Sequence, residues 1–345
     1  MAATTPSTAP PPVASAAILV DADTGRVLFE QSVHTPLPPG SLTKTLTAMI
    51  AANWLPPGTE VPVSADAYNA SPDKVGMATG QKWPLDITLH ALIIDSANDA
   101  AYALAHLIGG SLQGFPKVMQ DAGAEIGLAD HPTLNDPAGL DGTEGVHGGN
   151  RISAWDLAIM GRDMMADPML AAIADQQTYD FEGPDHIAYH IVSRNLHFLR
   201  SYPGAIGVKT GYTVPAGFCS MEEAEKSGRH MLAVILHSNN PDQFAANLIT
   251  QGFATPVNAE ATDPELPAVV APMPVIAATP RTIPVGPAAQ SAATVVVRSH
   301  SLARGFWIDV VGIAGIVAGL ALWFRKWMRR GFTPRSHPED EPIPH

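Results

Sequence analysis

Cysteine is all but missing from this sequence of 345 residues. The single thiol, Cys219, excludes an intrachain disulfide and any zinc site built on paired thiolates, and it reads as a buried apolar side chain. Basic residues are also scarce. Twenty Lys+Arg stand against 33 Asp+Glu, a net charge of −13, which argues against nucleic acid as a partner because phosphate binding needs clustered positive charge. Residues 1–14 (MAATTPSTAPPPVA) carry no charge and no apolar run, so they lack both marks of a secretory signal and read as an extended, disordered tail. What is present is an apolar content of 46%, enough for a packed core.

The chain divides by composition. From Ser15 the pattern is strand, turn, strand (SAAILV, DADTG, RVLFEQ), with Gly25 free to take a positive φ at the turn. After PLPPG, Ser41 to Asn53 reads as an apolar helix opening at Ser41, and helical signals dominate from about Pro84 to Ala166. Strands return from about Gln177 (YDFEG, AYHIVS, GVKTGYT, HMLAVILHS), and Gln243 to Gly252 closes as a helix. Strand-rich ends around a helical middle predict one α+β domain over residues 15–255.

Residues 256–303 are Pro- and Ala-rich and read as a linker. Phe306 to Phe324 is apolar except for Asp309 and, at about 28 Å as a helix, predicts one transmembrane helix within 304–326. Its flank, with Arg325, Lys326, Arg329 and Arg330, places residues 327–345 in the cytoplasm and the first 300 residues outside it. A domain on that side requires an address, so an upstream signal peptide missing from this sequence is expected.

Three short motifs carry chemistry. In Ser41-Leu42-Thr43-Lys44 the residues i and i+3 share a helix face, which sets an amine beside a hydroxyl at a helix N-terminus whose backbone N–H groups face a developing oxyanion. Ser96-Ala97-Asn98 puts a hydroxyl and an amide on a helical, otherwise apolar stretch, where polar side chains need partners. Lys209-Thr210-Gly211 falls on a predicted strand, where Gly211 permits close backbone approach and Lys209 supplies the second cation that a lysine base requires. Each has a plain structural reading, as helix cap, turn former or surface charge. All three in this order point to a nucleophilic serine with a lysine base.

The set SxxK, SxN, KTG resembles the penicillin-binding proteins and serine β-lactamases. The flanks PPGSLTKTLTAM, IIDSANDAAYALAHLIGG, DPAGLDG, ISAWDLA and GVKTGYTVPAGFC narrow the resemblance to the low-molecular-weight D-alanyl-D-alanine carboxypeptidases of the serine peptidase S11 family, over roughly residues 15–253. That resemblance implies the penicillin-binding/β-lactamase-like α+β fold, an antiparallel sheet flanked by helices plus a helical subdomain. It implies removal of terminal D-alanine from peptidoglycan stem peptides, β-lactam antibiotics as covalent inhibitors, and no metal or cofactor. By the same resemblance Ser41 is the acylated nucleophile, Lys44 its general base and Ser96 a proton relay. Asn98 orients Lys44 and hydrogen-bonds the substrate amide, Lys209 sustains the positive field, Thr210 and Thr213 bind the terminal carboxylate, and the backbone N–H groups of Ser41 and Tyr212 form the oxyanion hole beside Gly211.

Some features depart from that pattern. No arginine occurs between Arg229 and Arg281, where many relatives place one for the substrate carboxylate, and SMEEAEKSG is acidic and helix-prone for a strand. His186 and His190 form HxxxH without the glutamate of a metalloprotease helix and read as ordinary polar side chains. Asp136, Asp141 and Glu144 lie where a class A β-lactamase needs its deacylating glutamate, although their context, NDPAGLDGTEG, resembles the carboxypeptidase loop. Three functions therefore compete: a D,D-carboxypeptidase, with D,D-endopeptidase activity as a variant; a β-lactamase, marked by fast turnover of a penicillin adduct; and a non-catalytic wall-binding protein, indifferent to Ser41→Ala.

Overall fold

The six residues of β1 (Ala16–Asp21) are buried along their whole length because both faces of the strand are covered. Ala16, Ile18 and Val20 face one apolar core while Ala17 and Leu19 face another, the period of two that a strand imposes. The structure, a computed structural model, describes residues 13–142, 144–146, 148–257 and 264–270. A turn closed by Gly25 (φ 83°) leads from β1 into β2 (Val27–Gln31). Next come α1 (Lys44–Trp54), β3 (Glu60–Pro62), α2 (Ala65–Tyr68), β4 (Lys82–Pro84), α3 (Leu85–Ile93), α4 (Asn98–Gly109) and α5 (Phe115–Glu125). After a long loop follow α6 (Ala154–Ala166) and α7 (Pro168–Ala174), the hairpin β5 (Thr178–Glu182) and β6 (Ala188–Val192), and α8 (Leu196–Ser201). The chain then forms β7 (Ala205–Thr213), β8 (Gly217–Lys226), β9 (Arg229–Ser238) and α9 (Pro241–Ala254).

The ends of the domain build one antiparallel sheet in the order β2-β1-β9-β8-β7, so the first and last strand-forming segments meet at β1 and β9. The larger core lies between the sheet and a helical body that includes α1, α4 and α6; the smaller lies under α9, with Leu248 and Ile249 against Leu19 and Ile235. Ser153 caps α6 by accepting the N–H of Asp156 at 3.0 Å. The hairpin of β5 and β6 stands apart from the main sheet and packs Phe181 and Tyr189 edge-on against Trp83.

The acidic stretch after Cys219 is a strand after all, and an interior one. As β8 it pairs with β7 on one side and β9 on the other, which leaves Glu222 and Glu223 buried at 0% and 3% exposure. Strand pairing overrides the helical propensity of the glutamates. The Asn195 amide donates to Glu222 Oε2 at 2.6 Å. Burial pushes the Glu222 carboxyl well above its ordinary value and raises that of Glu223 to about 7.

Residues on either side of 15–255 also contact the fold. The Val13 N–H reaches Asn239 Oδ1 at 3.0 Å. Residues 264–270, read as linker, lie along the open edge of β2: Val27 N–H donates to the Pro264 carbonyl at 3.0 Å and Leu266 N–H to that of Gly25 at 2.8 Å. Arg162 Nη1 holds the Pro267 carbonyl at 2.9 Å. An edge strand accepts a Pro-rich neighbour because only one side of the added segment has to pair. Among the described residues no helix is long and apolar enough to cross a membrane; the expected span and the segment after it lie outside the described residues.

Because the folded Glu223 carboxyl titrates at about 7, above its ordinary 4.5, the native state binds the extra proton and stability falls as pH rises through that window. Glu223→Gln removes this dependence. Urea unfolding at about pH 4 and about pH 8 is expected to show the variant gaining up to about 3 kcal/mol on the wild type across the interval.

Candidate active site

Ser41 lies in a 3-10 turn, Gly40–Thr43, that runs into α1. The tighter turn replaces the α-helix expected to open there, and it suits the pair, since side chains three residues apart eclipse one another in this geometry. Lys44 Nζ stands 2.8 Å from Ser41 Oγ. Two more elements converge on the amine: Asn98, first residue of α4, accepts it on Oδ1 at 2.7 Å, and the Ala138 carbonyl, in the loop before α6, accepts it at 2.9 Å. The loop comes so close because residue 139 is glycine. A Cβ there would sit 1.9 Å from the Gly40 carbonyl oxygen, and its φ is +80°.

These partners dictate what a neutral Lys44 does. A neutral amine has two hydrogens and one lone pair, and the oxygens of Asn98 and Ala138 only accept, so they take both hydrogens and the lone pair is left for the Ser41 hydroxyl. Burial of the side chain, 0% exposed, pulls the amine down to about 7; Asp136, Asp73 and Asp99 hold it up, and Arg194 draws it further down. Lys209 is 2% exposed, and burial first, then Lys44 and Arg194, press its own amine well below the ordinary value. The depression of Lys44 therefore comes chiefly from its burial, with Arg194 as an added cation that the sequence reading missed.

Ser96 is in the break between α3 and α4, whereas a helical stretch was expected, and its φ is a left-handed 60°. The Ala97 N–H on the Ala91 carbonyl (3.0 Å) and the Asn98 N–H on that of Asp73 (2.7 Å) hold the break. Ser96 lines the same cavity as Ser41, with no hydrogen bond from its hydroxyl among the described residues. Both amide hydrogens of Asn98 go to the carbonyls of Ser71 (3.2 Å) and Pro72 (2.8 Å), so what it offers a substrate is a lone pair on Oδ1.

β7, the edge strand of the sheet, also borders the cavity. Thr210, Gly211 and Tyr212 line the cavity, of about 450 Å³, while Lys209 Nζ behind them donates to the Thr210 carbonyl at 2.9 Å. A Cβ on Gly211 would stand 3.0 Å from Ser41 N and 2.9 Å from the Pro39 carbonyl oxygen, so only glycine lets the strand lie against the serine turn. Thr213 departs from expectation. Its hydroxyl donates to Asp141 Oδ2 at 2.6 Å and accepts the Ala216 N–H at 3.0 Å, which leaves no donor for a substrate carboxylate.

Among the described residues that line the cavity, Arg194 is the one lysine or arginine. Its Nε meets Asp95 Oδ1 at 3.2 Å and its Nη2 meets Asp73 Oδ1 at 3.3 Å. No sequence signal marked it, because it sits in a polar turn before α8 and reaches the site only through the fold. Ala138 escaped notice because it acts through its carbonyl. Cys219 is 1% exposed, and burial pushes its thiol up to about 11, which removes it as a nucleophile at neutral pH. His186 and His190 pair separately, with Glu182 at 2.8 Å and Asp180 at 2.7 Å.

The model of the D-alanyl-D-alanine carboxypeptidase family, peptidase S11, matches residues 3–240. The chain is similar to the D-alanyl-D-alanine carboxypeptidase DacF of Bacillus subtilis, 29% identical over 241 residues, covering 68% of this chain and 60% of that protein. It is 31% identical over 243 residues to DacB2 of Mycobacterium tuberculosis, covering 69% of this chain and 81% of the relative. The solved structure of a D-alanyl-D-alanine carboxypeptidase from Mycobacterium tuberculosis H37Rv superposes with a TM-score of 0.67 at 28% identity, over 77% of this chain and all of the other. The chain thus spans less than two thirds of the Bacillus relative and about four fifths of the mycobacterial one.

Proposed function

Since the chain belongs to the S11 family of D-alanyl-D-alanine carboxypeptidases and carries its penicillin-binding/β-lactamase-like fold, we propose that it removes the terminal D-alanine from peptidoglycan stem pentapeptides through an acyl-enzyme on Ser41. The observation that carries this reading is the Lys44 amine, 2.8 Å from Ser41 Oγ with its hydrogens taken by Asn98 and Ala138. The Ser41 O–H proton passes to Lys44 as Oγ bonds to the carbonyl carbon of the penultimate D-alanine. The backbone N–H groups of Ser41 and Tyr212 are the donors for the resulting oxyanion. As the peptide C–N bond breaks, the departing D-alanine nitrogen takes a proton from Lys44 through the Ser96 hydroxyl, and water then cleaves the ester to free Ser41.

An extended peptide fits along the open edge of β7, and its terminal carboxylate belongs with Thr210 and Arg194. Arg194 Nη1 makes no hydrogen bond among the described residues, so the guanidinium keeps a donor for that carboxylate. β-Lactams, with an acyl group and a carboxylate in one small ring system, would acylate the same serine. Against a β-lactamase stands the state of the nearby carboxylates: Asp136 and Asp141 are buried and engaged with the protein, and Glu144 is exposed.

Placement in the cell follows from sequence alone. The apolar run and basic flank of 304–326 support a single-pass anchor with the enzyme outside the membrane and residues 327–345 in the cytoplasm.

The full chain in detergent is expected to release D-alanine from a stem pentapeptide, and Ser41→Ala to cut the rate by at least about 10³-fold. Folded wild-type protein that releases none would sink the proposal. Arg194→Gln, assayed above the Lys44 titration so that a shift of that amine does not enter, should weaken kcat/KM for the free acid by about tenfold or more beyond any loss on a C-terminally amidated peptide, which erases the acid-over-amide preference. Equal losses on both peptides would take the carboxylate away from Arg194.

A further inference from the structure

Asp136 is fully buried in the loop between α5 and α6 and touches neither Ser41 nor Lys44 by a hydrogen bond, yet four donors saturate its carboxylate. Oδ1 accepts the N–H of Ala138 at 2.8 Å and of Leu140 at 3.0 Å; Oδ2 accepts the Tyr102 hydroxyl at 2.8 Å and the Val146 N–H at 2.9 Å. Its own backbone is clamped by Asn150, which accepts the Asp136 N–H at 2.8 Å and donates to the Asp136 carbonyl at 2.8 Å. The same Asn150 amide reaches Thr43 Oγ1 at 2.9 Å, one residue before Lys44. The Pro137 carbonyl accepts the Thr47 hydroxyl at 2.7 Å, one turn further along α1.

A carboxylate that gathers two consecutive turns of loop onto one point fixes every atom between them. One of those atoms is the Ala138 carbonyl oxygen that takes a hydrogen from Lys44. We propose that Asp136 is the positioning residue of the general base: its carboxylate, through the Ala138 and Leu140 N–H groups, holds the Ala138 carbonyl where Lys44 must give up a hydrogen. This rests on the reading of Lys44 as the base for Ser41. It adds a residue outside the three motifs, and it gives a buried aspartate a kinetic task beyond loop packing.

Several charged groups surround Lys44. Asp136 from the α5–α6 loop is the foremost of the carboxylates that hold the amine up, followed by Asp73 from the loop after α2 and Asp99 from α4. Arg194, before α8, opposes them, and Lys209 of β7 is the second buried amine coupled to this one. Tyr102 of α4 donates to Asp136 and so tempers its charge. Removing the carboxylate and removing the hydroxyl that tempers it must therefore act in opposite directions on Lys44.

The test is the pH dependence of Ser41 acylation by benzylpenicillin, measured on the full chain by mass spectrometry. In Asp136→Asn the acidic limb should move down by about one pH unit, because the amine loses a stabilising negative charge, together with a fall in the plateau rate as the Ala138 carbonyl loosens. In Tyr102→Phe, which keeps the charge, the limb should move up by a few tenths of a unit. A slower Asp136→Asn with its limb in place would reduce Asp136 to a structural role and overturn the proposal. If that variant does not fold, a Tyr102→Phe limb that stays put or moves down overturns it equally. A wild type that penicillin never acylates would remove the Ser41–Lys44 reading first, and this inference with it.

Discussion

An ammonium group buried at 0% exposure is costly, and the arrangement around Lys44 is the answer to that cost. Three oxygens stand within 2.9 Å of it, from a turn before α1, from the start of α4 and from the loop before α6. Carbonyl and amide oxygens bind the hydrogens without neutralising the charge, so the group is satisfied in both protonation states. With the amine at about 7, both forms are populated at neutral pH. Position and proton affinity thus come from the same packing. The chemistry depends on three remote segments meeting at one nitrogen.

The rest of the fold serves that meeting. The sheet pairs β1 with β9, which joins the first strand of the domain to its last, and leaves β7 as an edge beside the serine turn. Gly139 and Gly211 mark where backbone presses on backbone around residues 39–41, with a side chain excluded at each. Ser96 holds a strained left-handed backbone between two helices, at the point where the chain lines the cavity. Arg194, tied to Asp73 and Asp95, brings positive charge to a cavity wall that also carries Asp73 and Asp242.

Much of this was legible in the sequence because it rests on local periodicity. The unbroken apolar runs in SAAILV and HMLAVILHS give two strands covered on both faces, and the i, i+3 spacing of Ser41 and Lys44 survives the change from α to 3-10 geometry. What escaped was set by contacts between distant segments. Asp141 captures the Thr213 hydroxyl across 72 residues, and no spacing rule announces it. The glutamates of β8 look out of place until the strand is seen in the interior of the sheet, where pairing outweighs their propensity and burial raises their carboxyls. Prolines suggested a linker where residues 264–270 pair with the edge of β2, since an edge tolerates them.

The account turns on Lys44 being a buried amine that sheds its proton near neutrality. Its most direct test is a titration of the lysine side chains by NMR, with carbon-13 at Cε in the full chain and Lys44 assigned by comparison with Lys44→Arg. The expected result is a Lys44 signal that titrates at about 7, well apart from the exposed lysines. A Lys44 signal that titrates with those lysines, at about 10.4, would contradict the account at its centre.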